Sequence, residues 1–280
     1  MAIDHKNIEN LLKYFASVRV YEEIDSTNNE AKRRLDRDSD RITLYVTDCQ
    51  TAGRGRRGHD FYSPKGSGLY FTLSLPLCSD PADVQILTCV AAVAVCEAIG
   101  SLSDVCPQIK WVNDVYLGDK KVCGILTELL SDEQNRPASV IVGIGINLTT
   151  DHFPAEFAAR AGSVGDIDPN RLCAEVVNRL IAMYAAINNS NFELKTMDNS
   201  SAELNRQNNS KPELKLNLNS ILEKYKQLNF CIGKRVQYTD ARGGHAAEAV
   251  DIAPDGSLIV EENGVRKALH SGEISITPTE

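Results

Sequence analysis

Ile109-Lys110-Trp111-Val112-Asn113-Asp114-Val115-Tyr116-Leu117-Gly118-Asp119-Lys120-Lys121-Val122-Cys123-Gly124-Ile125-Leu126-Thr127-Glu128-Leu129-Leu130 is too short and too often interrupted for helices between its apolar runs. It reads as strands over 109–112, 115–117 and 121–130, the last two joined by a tight turn at Gly118-Asp119, with a further strand over 139–148. Strands that follow one another through short turns pair antiparallel. The expected fold class is therefore α+β, a mixed and mostly antiparallel sheet packed with helices, rather than a doubly wound parallel sheet.

Upstream, residues 19–24 read as a short strand, followed by Asp25-Ser26-Thr27-Asn28-Asn29-Glu30. Thr27 with Glu30 three positions later has the pattern of a capping box, so a helix is expected there with free amides facing Ser26 and Thr27, a terminus that attracts anions. Strands are expected over 42–47 and 69–77. Between them lies Cys49-Gln50-Thr51-Ala52-Gly53-Arg54-Gly55-Arg56-Arg57-Gly58, three arginines on a backbone loosened by three glycines. Such a loop can fold amides and guanidinium groups around an anion.

A helix is expected from Asp80 to Gly100 with Pro81 in its first turn, and another from Asp168 to about Ile187. Residues 188–219 turn to Asn, Ser, Lys and Glu, the composition of an insertion that buries little apolar surface. A short helix near 221–228 precedes runs at 235–238, 246–252, 257–262 and 265–268, separated by Arg242-Gly243-Gly244, Pro254-Asp255-Gly256 and Glu262-Asn263-Gly264. This close spacing describes a small β-barrel or sandwich of about fifty residues. Two domains are expected, over 1–230 and 231–280.

With 30 Lys and Arg against 38 Asp and Glu, the 280-residue chain carries a formal charge of −8, which repels a nucleic-acid backbone from most of its surface. No apolar run is read as approaching the roughly 20 residues of a membrane helix, and Met1-Ala2-Ile3-Asp4-His5-Lys6 lacks a signal-peptide core. The eight cysteines show no C-x-x-C spacing and read as buried reduced thiols, with no metal set expected. A cytoplasmic address follows, with neither DNA nor a membrane as partner.

Polar residues beyond the needs of a sheet core gather in three places: Asn113-Asp114 at a strand end, Lys120-Lys121 at the next strand's start, and Gly143-Ile144-Gly145-Ile146-Asn147. Glycines at alternate strand positions leave room for a ligand plane or another backbone. Each motif alone is weak. Together with the arginine loop and Asp25-Ser26-Thr27-Asn28, in this order, they resemble the biotin protein ligase family. The resemblance covers about residues 20–150 and 228–276, where Gly272-Glu273-Ile274-Ser275 also matches.

The resemblance implies a catalytic domain like that of class II aminoacyl-tRNA synthetases and a C-terminal SH3-like β-barrel. It implies ATP and biotin as ligands, Mg²⁺ with the nucleotide phosphates, a biotin carboxyl carrier domain as partner, and a possible homodimer. Biotin would be activated to biotinyl-5′-AMP with release of pyrophosphate, then passed to a carrier lysine. Lys121 matches the lysine beside the biotin carboxylate and α-phosphate. Arg54, Arg56 and Arg57 would hold phosphate and shield the intermediate. Ser26, Thr27, Asn28, Gln50, Gly53, Arg54, Lys121, Gly124 and Leu126 would contact biotin, while Arg56, Arg57, Trp111, Asn113, Lys121 and Asn147 would contact ATP. Asp114 is a candidate base toward the incoming amine.

The chain departs from the family pattern at Val112, where proline is common, at Phe61, where tryptophan often packs, and at Thr277, where some members carry arginine. Only about twenty residues precede Val20, too few for the winged helix of family members that repress transcription. A lipoate ligase or acyltransferase is the nearest alternative, and a non-catalytic binding protein the third.

Overall fold

The computed structural model describes residues 2–77, 84–150, 153–188, 196, 216–240 and 243–276. The elements run α1 (His5–Leu11), β1 (Ser17–Tyr21), α2 (Thr27–Arg33), α3 (Leu35–Asp38), β2 (Thr43–Thr47), β3 (Gly68–Pro76), α4 (Val84–Leu102), β4 (Gln108–Lys110), β5 (Asp114–Leu117), β6 (Lys120–Ser131) and β7 (Pro137–Asn147). Then follow α5 (Ala155–Ala158), α6 (Pro169–Asn188), α7 (Leu218–Leu228), β8 (Arg235–Asp240), β9 (Gly243–Ile252), β10 (Leu258–Glu262), β11 (Val265–Leu269) and β12 (Ile274–Ile276).

The first sheet has seven strands in the order β1-β2-β3-β7-β6-β5-β4, antiparallel throughout except for the parallel pair β1–β2. The period-two alternation of strands sorts its residues onto two faces. Leu69, Phe71, Leu73 and Leu75 of β3 and Val140, Val142, Ile144 and Ile146 of β7 join one core with α4 and α6. The opposite face carries Tyr70 and Thr72 of β3 and Gly143 and Gly145 of β7, and it is this face that holds the site.

Helix α4 amends one expectation. Its 19 residues have a hydropathy of 1.8, long and apolar enough to cross a membrane by length and composition. Two thirds of that stretch is buried inside the protein. Thirteen of its side chains, from Ile86 to Ile99, lie in the core, so the missing polar face reflects packing on both sides by sheet and helices. The expected cap at Asp80 and Pro81 lies outside the described residues, as do most of the 188–219 insertion, Arg242 and Thr277.

The second sheet is a five-stranded antiparallel arrangement, β11-β10-β9-β8-β12. It rests on the first domain through Trp111, whose indole N–H donates to the Gly256 carbonyl at 3.0 Å, and its apolar face continues the main core through Val236, Ile252, Leu258 and Val260.

Several boundaries moved. β4 ends at Lys110, because Trp111 to Asn113 form a turn containing a cis Trp111–Val112 peptide. The capping box at Thr27 is not formed. Ser26 occupies the N-cap without a side-chain bond to the helix, and Glu30 is drawn away by Arg33 at 2.9 Å, Arg34 and Tyr21. Charged partners outbid a neutral backbone amide.

The seven described cysteines are free, six of them buried, in keeping with reduced thiols.

Candidate active site

The register of five strands places one row of residues across the sheet: Thr47 opposite Tyr70, Tyr70 opposite Gly145, Gly145 opposite Gly124, and Gly124 opposite Asp114. Two adjacent glycines between bulky neighbours make a trough in the sheet surface. The next row, Thr72, Gly143 and Leu126, forms the trough's second course. Above them opens a cavity of about 670 Å³ lined by every expected site residue except the buried Gly53.

The trough is partly filled by the protein's own side chains, which corrects the reading of its glycines. A Cβ on Gly145 would lie 2.5 Å from the Phe61 ring and one on Gly124 2.9 Å from it, so the ring covers both. A Cβ on Gly143 would lie 2.0 Å from Asn28 Oδ1. The glycines admit an aromatic ring and an amide, and those in turn wall the space left for a ligand.

At the base of the cavity Ser26, Thr27 and Asn28 are buried, and α2 begins there. Gln50 Oε1 accepts from the Thr27 backbone N–H at 2.9 Å while Gln50 Nε2 donates to Ser63 Oγ at 3.0 Å. Gly53 is buried because a Cβ would meet the Phe61 carbonyl at 2.4 Å, where the loop folds back on itself. That fold is sealed by Phe61 N–H donating to Gly53 O at 2.9 Å.

The opposite end is cationic. Lys121 Nζ stands 2.7 Å from Asp114 Oδ1 across the β5–β6 hairpin. Arg56 Nη1 donates to Asn113 Oδ1 at 3.1 Å, and Asn113 is fixed by donating to the Ile125 carbonyl at 2.9 Å. Burial, and then the neighbouring Arg57 charge, lower the Arg56 pKa from its ordinary value. Asp114 and Glu273 offset this in part, and the two crowded guanidinium groups together suit an anion. Arg57 adopts a left-handed backbone, φ 55°, turning the loop so that it and the exposed Arg54 face the opening.

Asn147 ends β7 and donates to Gly162 O at 3.0 Å, which ties the sheet to the segment after α5. The Trp111 ring lines the cavity but its only polar atom is committed to Gly256.

The sequence reading missed several lining residues: Tyr116, Phe153, Phe157 and Arg160, and it gave no role to Thr72, which packs under Thr27 and Asn28. Alternation in β3 marks Thr72 as facing away from the core, which was a usable signal. Phe153 to Arg160 lie in a segment without periodicity, brought over the site by bonds to the β5–β6 hairpin, among them Lys121 N–H to Arg160 O at 2.8 Å and Lys120 Nζ to Ala159 O at 2.7 Å.

Residues 20–147 match the Biotin/lipoate A/B protein ligase family, and residues 231–276 match the Biotin protein ligase C terminal domain. The chain belongs to the biotin protein ligase family. Among similar proteins is the Bifunctional ligase/repressor BirA of Bacillus spizizenii, 38% identical over 53% of this chain and 46% of that protein. The chain thus spans less than half the length of that relative. The Biotin--[acetyl-CoA-carboxylase] ligase of Mycobacterium tuberculosis is 24% identical over 89% of this chain and 85% of its own. A biotin protein ligase from Aquifex aeolicus in complex with biotin and ATP has the same fold, with a TM-score of 0.72 and 25% identity over 95% of this chain and all of the other. The family's two domains correspond to the two sheets seen here.

Proposed function

We propose that this protein is a biotin protein ligase, which activates biotin with ATP and transfers it to a lysine of a biotin carboxyl carrier domain. The Lys121–Asp114 pair carries the reading: a lysine held on the sheet at 2.7 Å from a carboxylate, between a glycine trough and an arginine loop. The names of the relatives and the match over both domains support it.

Biotin lies along the trough with its ring toward Thr27, Asn28 and Gln50 and its carboxylate toward Lys121. Gly124 and Leu126 form the floor, and Ser26, Gly53 and Arg54 the inner rim. ATP lies beyond, with its base near Asn147 and Trp111 and its phosphates between Lys121, Arg56, Arg57 and Asn113. A carboxylate oxygen attacks the α-phosphorus, the bond to the β-phosphate oxygen breaks, and pyrophosphate leaves. Two anions must approach, and a unit charge at 4 Å interacts with another by about 4 kcal/mol at an effective dielectric constant of about 20. Lys121 can offset a repulsion of that size, and gains as charge grows on phosphorus.

In the second step the carrier amine attacks the acyl carbon and AMP leaves with its electron pair. The amine's proton passes to Asp114 or to solvent. Arg54, Arg56 and Arg57 close over the mixed anhydride and keep water from it.

The described residues contain no group of three His, Cys, Asp or Glu suited to a metal. The phosphate end is cationic, so this donor set does not fit a resident Mg²⁺; the ion would arrive on the phosphates of ATP.

Exchange of labelled pyrophosphate into ATP tests the proposal. Biotin-dependent exchange supports it, lipoate-dependent exchange moves the protein to the other branch of the family, and exchange with neither ligand refutes adenylation.

A further inference from the structure

Two chains of hydrogen bonds converge on Thr27 from opposite sides of the trough. In the first, Lys32 Nζ pairs with Glu128 Oε1 at 2.6 Å, and Asn28 Nδ2 donates to Glu128 Oε2 at 2.8 Å. A carboxylate only accepts, so the amide nitrogen must face Glu128 and Asn28 Oδ1 must face Thr72, 2.6 Å from Thr72 Oγ1. Asn28 Oδ1 also only accepts, and a hydroxyl has one proton. Thr72 therefore spends its proton on Asn28 and offers a lone pair to Thr27 Oγ1, 2.8 Å away.

The second chain starts at a backbone carbonyl. Phe61 O only accepts, so Ser63 Oγ, 2.9 Å away, gives its proton there. Ser63 Oγ is left to accept from Gln50 Nε2 at 3.0 Å, which turns Gln50 Oε1 toward Thr27, 2.9 Å from its backbone nitrogen and 3.3 Å from its Oγ1. The Thr27 hydroxyl thus stands between two acceptors and directs its one proton into the protein on either side. Toward the cavity it presents lone pairs.

We infer that Lys32, Glu128, Thr72 and Ser63 are positioning residues that fix Thr27 Oγ1 as an acceptor, so that the trough selects a ligand bringing an N–H donor to this point. Thr27, Asn28 and Thr72 are buried, so water cannot reset these directions cheaply. The inference rests on the activity proposed above: the ring of biotin is a cyclic urea whose nitrogens carry such donors. It adds the requirement for a donor at Thr27 and names residues outside the cavity that enforce it. Gly143 belongs to the same device, because any Cβ there would displace the Asn28 carbonyl oxygen through which the first chain runs.

Calorimetric titration of biotin into wild type, Thr72→Val, Thr72→Ser and Lys32→Met tests it, with KM and kcat for pyrophosphate exchange and the melting temperature of each. Thr72→Val keeps shape and loses the hydroxyl; biotin affinity should fall about tenfold, the equivalent of one ligand hydrogen bond, with KM for ATP and kcat at saturating biotin unchanged. Thr72→Ser should restore affinity, and Lys32→Met, lying away from the cavity, should weaken biotin by about threefold through Asn28. A biotin analogue methylated on its ring nitrogens should bind wild type far more weakly than biotin, and that preference should narrow in Thr72→Val.

Normal biotin affinity in a folded Thr72→Val protein overturns the inference, as does failure of serine to rescue or a wild type indifferent to methylation. Should Thr72→Val not fold, unchanged affinity in Lys32→Met overturns the first chain by itself. Wild-type protein that binds no biotin refutes the activity, whereas wild type that binds with unaffected variants refutes only the positioning.

Discussion

The ammonium of Lys121 sits where β5 and β6 pair, its backbone tied on both sides, N–H to Arg160 O at 2.8 Å and C=O from Gly162 N–H at 2.9 Å. Such a frame holds the charge in place before any ligand arrives, which is what electrostatic catalysis needs. Lys121→Ala is expected to lower kcat for biotin-dependent exchange by about a hundredfold or more while biotin still binds, the scale of removing one preorganised charge. Unchanged exchange would remove Lys121 from the mechanism. Gly143 is the counter-case, a residue that matters for what it lacks. Since an added Cβ would stand 2.0 Å from Asn28 Oδ1, Gly143→Ala should cost about 1–3 kcal/mol in denaturant unfolding and weaken biotin as well. The sequence marked this glycine as making room but not for what, because the occupant, Asn28, lies 115 positions upstream in a different element.

Elements divide into those that frame the site and those that close it. The loop from Gly53 to Ser63 closes it, held by the backbone bonds Gly55 N to His59 O at 2.7 Å and Phe61 N to Gly53 O at 2.9 Å, with Arg56 clasped to Asn113. Arg56→Gly should do more than weaken ATP binding: biotinyl-adenylate should escape, read as free adenylate accumulating in solution by mass spectrometry; an adenylate that stays bound would sink the lid. Helix α2 frames the site through ionic ties. The Arg33 guanidinium, 2.8 Å from Asp25, is the largest cause of an Asp25 carboxyl held well below its usual range, and Arg34 and Arg33 lower Glu30 against the opposing cost of burial. A depressed carboxylate stabilises the fold above its unfolded value and loses that contribution as pH falls through the folded value. Wild type should therefore melt higher than Arg33→Ala at neutral pH, with the gap narrowing only in strong acid. A gap that is constant down to strong acid would mean that Arg33 acts by packing. Most of these elements were legible, since strand alternation, short turns and glycine spacing are local. The capping box was not, because Glu30 had a choice of partners and the arginines that won lie on the following turn.

At the scale of the whole molecule, the two sheets share one apolar core and meet again at the cavity, where Gly272 to Ser275 join the rim. The existence of the second sheet could be read from turn residues. Its placement against α4 and the 111–113 turn could not, because it depends on complementary surfaces formed by segments that are distant in sequence. Trp111, the sole tryptophan, is the joint: its ring lines the cavity, its backbone N–H meets Cys231 Sγ at 3.4 Å, and its indole donates to Gly256 O. Gly256 takes a backbone φ of +81°, and its missing side chain leaves room for Cys89, whose sulfur would lie 2.9 Å from a Cβ. Gly256→Ala must both strain the turn and push on α4, at a cost of about 1–3 kcal/mol. If the joint transmits position, the damage will reach the nucleotide end of the cavity: the variant should have a raised KM for ATP, a nearly normal affinity for biotin, and a tryptophan emission shifted from that of wild type. A variant that loses stability but keeps its KM for ATP would mean that the second sheet supports the fold without setting the site.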